Sequence, residues 1–381
     1  MIGGDYQGLG IIRSLGRKKI PVCVVDDETS IGRFSRYATH SIKVDDLRSE
    51  EGTVATVLEA GERLGLEGWV LFPTREETVA ALSRRRSVLA THFRVPTQDW
   101  DCVRWAWDKR NTYRLAETLG IPTPATCVPL LESELEAADE WLPVAIKPAI
   151  KEHFIYATGA KAWRADTPAQ LRVRFREAEQ IVPAGEVIVQ ELIPGDGREQ
   201  FAYGTFFKEG RPLGSMVARR WRQHPPEFGR ASTYVETVDV PLLEELSELL
   251  LREIDYYGLA ELEYKRDPRD GRFKLLDFNA RTWGYHTIGG RAGVDFPYLL
   301  YADQVGLPLE ERRARPGVKW VRLVTDVPTG FVEIVSGRLG WRSYIRSLRD
   351  MHIEAVFSSD DLLPGLVELA LIPYLAVRRG F

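Results

Sequence analysis

Glu263, Asp277, Asn279 and Arg281 form the densest group of chemically capable side chains in this sequence, and all fall within residues 260–281. Tyr264 and residues 273–276 favour strands, and Asp267-Pro268-Arg269-Asp270-Gly271 is a turn cluster, so the stretch reads as an antiparallel hairpin. Strand alternation then puts Asp277, Asn279 and Arg281 on one face, with Glu263 opposite or diagonal to Asp277. Two carboxylates that converge with no evident lysine between them are costly unless a cation lies there. Hard oxygen ligands of this kind suit Mg²⁺, which keeps several waters and bridges to phosphates. Most acidic hairpins are simply solvated. What argues for a site here is the amide and guanidinium of Asn279-Ala280-Arg281, in line with Asp277 and emerging from the apolar run 275–278.

Several elements must position these groups. Asp108-Lys109-Arg110 opens a helix that runs to Leu119 and stops at Gly120, with Pro122 and Pro124 beyond. Val144-Ala145-Ile146-Lys147-Pro148 reads as a short buried strand carrying a lysine, a residue rarely buried unpaired. A phosphate partner would relieve that cost at Lys147, although either lysine alone is more often a snorkelling side chain. Residues 186–195 form a strand running into a hinge, and 201–207 with 213–218 a second hairpin, after which Arg219-Arg220-Trp221-Arg222 carries cations to the same cleft. One of Arg219 and Arg220 is expected to face a triphosphate or substrate. Beyond Arg281, the loop 282–295 lies beside the hairpin and leads into an apolar helix near 297–305, making His286 and Arg291 candidates to shape a carboxylate or amine pocket. A lone histidine is more often structural.

The first hundred residues alternate strands and helices. Met1-Ile2 reads as the end of a strand, followed by a glycine-rich turn of Gly3, Gly4, Gly8 and Gly10, and a second strand ends at Asp26. The spacing G-G-x-x-x-G-x-G is a weak match to a dinucleotide fingerprint. Thr74 and Glu77 read as a capping box, with Glu76 and Glu77 facing substrate as the alternative.

At 381 residues, 44% hydrophobic and 28% charged, the chain has room for two or three ordinary globular domains. Fifty-one Lys and Arg against 55 Asp and Glu give a net charge of −4, which offers no reason to expect nucleic acid as the main partner. Cys23, Cys102 and Cys127 lack metal or disulfide spacing, and the N-terminus lacks a secretory pattern, so a cytoplasmic location is expected. The apolar run 362–377, broken by Pro364, Glu368 and Pro373 and followed by Arg378-Arg379, is too interrupted to span a bilayer. Packing on the body or on the second copy of a homodimer is preferred for 362–379 over contact with a membrane surface.

The hairpin with its Asp277-x-Asn279-x-Arg281 pattern, preceded in order by Lys109 before Leu119-Gly120-Ile121-Pro122-Thr123-Pro124 and by Lys147-Pro148, resembles the ATP-grasp superfamily. Asp277 stands where Glu is usual and Ala280 where Pro is usual, and neither change removes a ligand type. The resemblance implies an α/β (α+β) ATP-grasp fold with a Rossmann-like pre-ATP-grasp domain at 1–98, a central subdomain at 99–184, a C-terminal subdomain at 185–312 and an extension at 313–381. It implies Lys109 and Lys147 on the phosphates of ATP; Gln190, Glu191, Leu192 and Ile193 on adenine; and Glu199 on the ribose. Gln190 replaces the commoner Glu, its amide oxygen still able to accept from the adenine amino group. Glu263, Asp277 and Asn279 would hold Mg²⁺, with Mn²⁺ as a substitute, and Arg281 would contact the transferred phosphoryl group. The family's glycine-rich phosphate loop is replaced by residues 149–161, which hold one glycine, so Lys151, His153 and Lys161 become the candidates to cover the phosphates. The implied activity resembles that of the D-aspartate ligase and amino-acid ligase branch: a small carboxylate and an amine joined through an acyl phosphate, releasing ADP and phosphate. A non-catalytic ATP-binding regulator, an ATP-grasp kinase or thioester-forming ligase, and, on the first 26 residues alone, a nicotinamide-dependent oxidoreductase stand as alternatives.

Overall fold

The computed structural model describes residues 1–225, 228–229 and 231–379, with side chains described to 373. In the N-terminal unit, Ile2 bridges in parallel to both Val25 and Pro73, and β1 (Cys23–Asp26) pairs in parallel with β2 (His40–Lys43). Helices α1 (Tyr6–Gly16), α2 (Glu50–Leu64) and α3 (Glu76–Arg84) accompany them. Asp5 caps α1 through the backbone N–H groups of Gln7 and Gly8, so Gly8 and Gly10 are helical residues, not part of a turn. Their small size serves close packing: a Cβ on Gly10 would meet Thr287 Cγ2 at 2.5 Å and His286 Nε2 at 2.6 Å. Asp26, the acid a dinucleotide would need, is buried and bound by the Gly4 N–H and, at 2.9 Å, by Arg75. The cap of α3 also differs from expectation. Arg75 is the N-cap residue and Thr78 closes the box, while Thr74 Oγ1 donates to the Ile2 carbonyl.

Helix α4 (Arg86–Leu89) packs Leu89 into the N-terminal core, and α5 (Trp100–Trp107) and α6 (Lys109–Thr118) lead into the central unit. Among the described residues its sheet has four strands in the order β3 (Thr126–Cys127), β6 (Val187–Glu191), β4 (Val144–Pro148), β5 (Trp163–Ala165). Helix α7 (Lys151–Thr158) occupies the segment expected to be a phosphate loop. It holds no Gly or Pro, buries Phe154, and ends at Gly159 in the left-handed region. Helix α8 (Pro168–Glu179) starts at the Thr167 cap with Pro168 in its first turn. Because β6 pairs with the whole of β4, this sheet continues past residue 185, where a boundary was expected.

The remaining elements are β7 (Gln200–Lys208), β8 (Arg211–His224), β9 (Ala231–Val238), α9 (Pro241–Glu253), β10 (Gly258–Arg266), β11 (Phe273–Asn279), α10 (Thr287–Ala292), α11 (Phe296–Gln304), β12 (Arg312–Arg313), β13 (Lys319–Val321), α12 (Leu323–Val335), α13 (Trp341–Arg349), β14 (Ile353–Glu354) and α14 (Leu363–Arg379). They build a large sheet in the order β11-β10-β7-β8-β9-β13-β14, with β12 paired to β8. Strands β13 and β14 come from the segment expected to be an extension, which is therefore part of this sheet. Alternate residues of β7 feed two cores: Phe201, Tyr203 and Phe207 pack beneath α9, while Ala202 and Phe206 join Leu9, Ile12, Trp283, Phe296 and Trp320. The second core binds the N-terminal unit to the large sheet.

Gly10→Val should destabilise the protein by about 1–3 kcal/mol, because both obstructing groups sit in the close-packed junction of α1 and α10. A lowered urea midpoint at unchanged slope would show it, and an unchanged midpoint would refute it.

Candidate active site

The functional cleft, of ≈ 950 Å³, lies between the four-stranded sheet and the free end of the large one. Strand β10 alternates Ala260, Leu262 and Tyr264 into the core beneath α9, which turns Glu261, Glu263 and Lys265 the other way. Glu263 is paired in register with Asp277 and Glu261 with Asn279, and an irregularity between Glu263 and Tyr264 leaves Leu276 as the extra residue beside the site. Register thus gathers three carboxylates and an amide on one face.

These acids are not bare, contrary to the expectation that no lysine stands among them. Lys109, at the start of α6, forms an ion pair with Asp277, and Arg220 of β8 reaches Glu263 Oε2 at 3.3 Å. Burial works to raise the Asp277 and Glu263 carboxyls. Lys109 outweighs it at Asp277, and Arg220 with Lys161 at Glu263, so both stay below their ordinary range. Glu261 goes the other way. Burial, then the charge of Glu263, pushes it up to about 7, although it accepts hydrogen bonds from Tyr285 Oη at 2.6 Å and Asn279 Nδ2 at 3.1 Å. Arg281 is clamped by Glu76 from α3, with its Nε 2.8 Å from Oε1, and also donates to Asn279 Oδ1 at 3.3 Å.

Opposite, Lys147 Nζ donates to Gln190 Oε1 at 2.7 Å and Tyr113 Oη at 2.6 Å, and Tyr113 in turn donates to the Leu276 carbonyl. Lys161 Nζ lines the cleft with one backbone contact, Gly229 O at 3.3 Å, and burial pushes it down to about 8. Helix α7 closes one side. Tyr156 donates to Glu77 at 2.6 Å and receives the Arg48 guanidinium over its ring, tying α7 to the N-terminal unit.

No family model matches the chain. The D-aspartate ligase of Enterococcus faecium (strain Aus0004) is 23% identical over 298 residues, which is 74% of this chain and 70% of that protein. Among solved structures, the L-amino acid ligase from Bacillus licheniformis superposes with a TM-score of 0.61 at 17% identity, covering 81% of this chain and 74% of that one. The biotin carboxylase domain dimer of the Hydrogenobacter thermophilus 2-oxoglutarate carboxylase, solved with MgADP, ADP and bicarbonate, superposes with a TM-score of 0.64 at 15% identity, covering 84% and 72%. This chain has the ATP-grasp fold.

Within the ATP-grasp cleft stand Lys109, Lys147, Lys161, Gln190, Glu191, Leu192, Ile193, Arg220, Glu263, Asp277, Asn279 and Arg281. Several roles differ from expectation. The Gln190 amide oxygen is taken by Lys147, Glu191 is engaged by Arg269 and Lys274, the Leu192 N–H donates to Pro143 O, and the Ile193 carbonyl accepts from Lys265. Glu199 is outside the cleft lining, bound to Arg266 at 2.7 Å. Arg219 is also outside it: alternation along β8 sends its guanidinium over the Phe201 and Trp221 rings. His153 is held by Glu186 at 2.7 Å. His286 is a packing residue, buried against α1 with Nε2 on the Gln7 carbonyl at 3.0 Å and pushed down to about 4 by burial. Arg291 is exposed and does not line the cleft.

Glu261, Tyr113, Tyr285 and Lys265 were not anticipated. Glu261 alone had a signal, the alternation in Glu261-Leu262-Glu263. Among the described residues no group of three or more His, Cys, Asp or Glu side chains could hold a metal unaided. The donor set nonetheless fits Mg²⁺ brought by a nucleotide: hard oxygens of Glu263, Asp277 and Asn279 on one face, with phosphate oxygens and water to complete six-fold coordination.

Nucleotide affinity should fall above pH 8 as Lys161 loses its proton, at up to roughly tenfold per pH unit, while Lys161→Arg stays level from pH 7 to 9. Titrating ATP against both proteins across that range checks this, and parallel pH profiles would refute it.

Proposed function

We propose that the chain is an ATP-dependent carboxylate–amine ligase that activates a small acid as an acyl phosphate and passes the acyl group to an amine, releasing ADP and phosphate. The observation that carries this reading is the pairing of Glu263 with Asp277 across one hairpin, facing Lys109, Lys147, Lys161, Arg220 and Arg281 in an ATP-grasp cleft. The similarity to a D-aspartate ligase and to an L-amino acid ligase supports amino acids as the substrate class.

In this reading Lys147, oriented by Gln190 and Tyr113, and Lys161 meet the phosphate oxygens. Glu263, Asp277 and Asn279 would hold Mg²⁺, which when bound neutralises charge on the β- and γ-phosphates. A substrate carboxylate attacks the γ-phosphorus in line and ADP leaves. The protein contributes position and preorganised charge rather than covalent chemistry. Arg281, fixed by Glu76, is aimed at the acyl phosphate, and its charge balances the oxyanion that develops when the amine adds to the carbonyl carbon. Phosphate then leaves and the amide remains. Helix α7, docked through Tyr156 and Glu77, limits water reaching the mixed anhydride.

The test is ADP release from Mg-ATP across a panel of amino acids and small carboxylates, with hydroxylamine as trap. Hydroxamate together with ADP is expected, and Asp277→Ala should lower turnover by roughly 10²–10³-fold. ATP binding without turnover would favour a regulator, and full turnover by Asp277→Ala would refute the assignment of the site.

A further inference from the structure

Two helices of the C-terminal region bury an acid and turn apolar side chains outward. Helix α12 buries Thr325, Asp326 and Thr329, and exposes Val327, Phe331 (67%) and Val335 (71%), residues at i, i+4 and i+8 on its outer face. Helix α14 packs Val367 and Leu371 on the core beside the buried Glu368 (1% exposed), while Leu362 just before it and Leu366 and Leu369 within it face outward. This orientation is enforced from within. Arg222 makes a two-pronged ion pair with Asp326, both contacts 2.8 Å, Thr233 adds a hydrogen bond, and Arg322 binds Glu368 at 2.7 Å. Breaking a buried pair to turn either helix over would strand a charge in the core, so the apolar faces are held outward. Apolar surface of this extent marks a contact site.

The chemistry beside it indicates what the contact is. Helix α13 exposes Trp341 and Ile345 one turn apart, bordered by Arg342, Arg346 and Arg349, with Arg338 in the preceding turn. A cavity of ≈ 410 Å³ opens alongside, lined by Arg198, Lys319, Arg338 and Arg346 against the acids Glu236 and Asp350. In a chain of net charge −4 this cationic concentration is local. An acidic phospholipid layer matches both parts, apolar and aromatic side chains entering the headgroup boundary while guanidinium groups meet phosphates.

We propose that the α12–α13 region is a docking surface for an anionic phospholipid membrane, with headgroup phosphates received by Arg338, Arg342, Arg346 and the adjoining cavity. Among the described residues no helix is long and apolar enough to cross a bilayer, so the contact is peripheral. Residues 362–373 pack on the body through Val367, Glu368 and Leu371, as preferred from sequence, so the proposal rests on α12 and α13 and not on α14.

The full chain is sedimented with vesicles of phosphatidylcholine alone and of phosphatidylcholine mixed with phosphatidylglycerol. Partition onto the mixed vesicles only, weakening as salt is raised, is expected. Arg342→Ala combined with Arg346→Ala should lower it about 30-fold, at about 1 kcal/mol per arginine. Phe331→Ser with Trp341→Ser should abolish it while the circular dichroism and melting temperature hold. No partition, or equal partition onto both vesicle types, overturns the proposal. So does a dimer that dissociates on Phe331→Ser in a protein that ignores vesicles, which would assign the face to a second copy.

Discussion

Glu263 and Asp277 face each other across one hairpin, half-buried in the wall of the cleft, and like charges in that position persist only where cations meet them. Each cation comes from a different element: Lys109 opens α6, Arg220 stands on β8, Lys161 follows α7, and Arg281 follows β11. Arg281 in turn needs Glu76 from α3. Charge balance at the centre therefore draws together all three units of the fold. Removing any one of these partners costs more than a surface pair would, because the remaining charge is left buried.

Other polar devices hold the cleft open. Lys265, on the same face of β10, donates to the carbonyls of Ile193 and Gly195, each at 2.7 Å, and so fixes the bend at which the four-stranded sheet gives way to the large one. His286 performs the equivalent task at the N-terminal junction, where it sits against Gly10 and accepts no role in the cleft. The same principle governs the C-terminal helices. There Arg222–Asp326 settles which face of α12 turns inward, against the order that hydrophobicity alone would choose, and Arg322–Glu368 fastens α14 to the same body.

Local pattern was enough for the hairpin. Its turn residues and period-2 alternation put Glu263 opposite or diagonal to Asp277, and the irregularity at Leu276 set the direct pairing. Lys109 and Lys147 were legible together: the resemblance marked a lysine at a helix start, and burial inside an apolar strand marked the other. Helix α8 was equally legible from the Thr167-Pro168 start signal. Helix α7 was not, because the expectation of a phosphate loop overrode a segment without helix breakers.

What the sequence by itself determined is thus the identity and facing of side chains within single elements, because strand and helix periods act over a few residues. Only the tertiary structure decided their partners. Arg219 and Arg220 are neighbours of one type, yet the pleat of β8 sends one to aromatic rings and the other to Glu263. Glu199 and Arg291 are polar residues at reasonable distances along the chain, but Glu199 is bound to Arg266 outside the cleft and Arg291 lies exposed away from it. Glu261 could be read as facing the site, while its company of Tyr285 and Asn279 could not. Electrostatic and hydrogen-bond partners are set by which distant segments fold against one another, and no local periodicity carries that information.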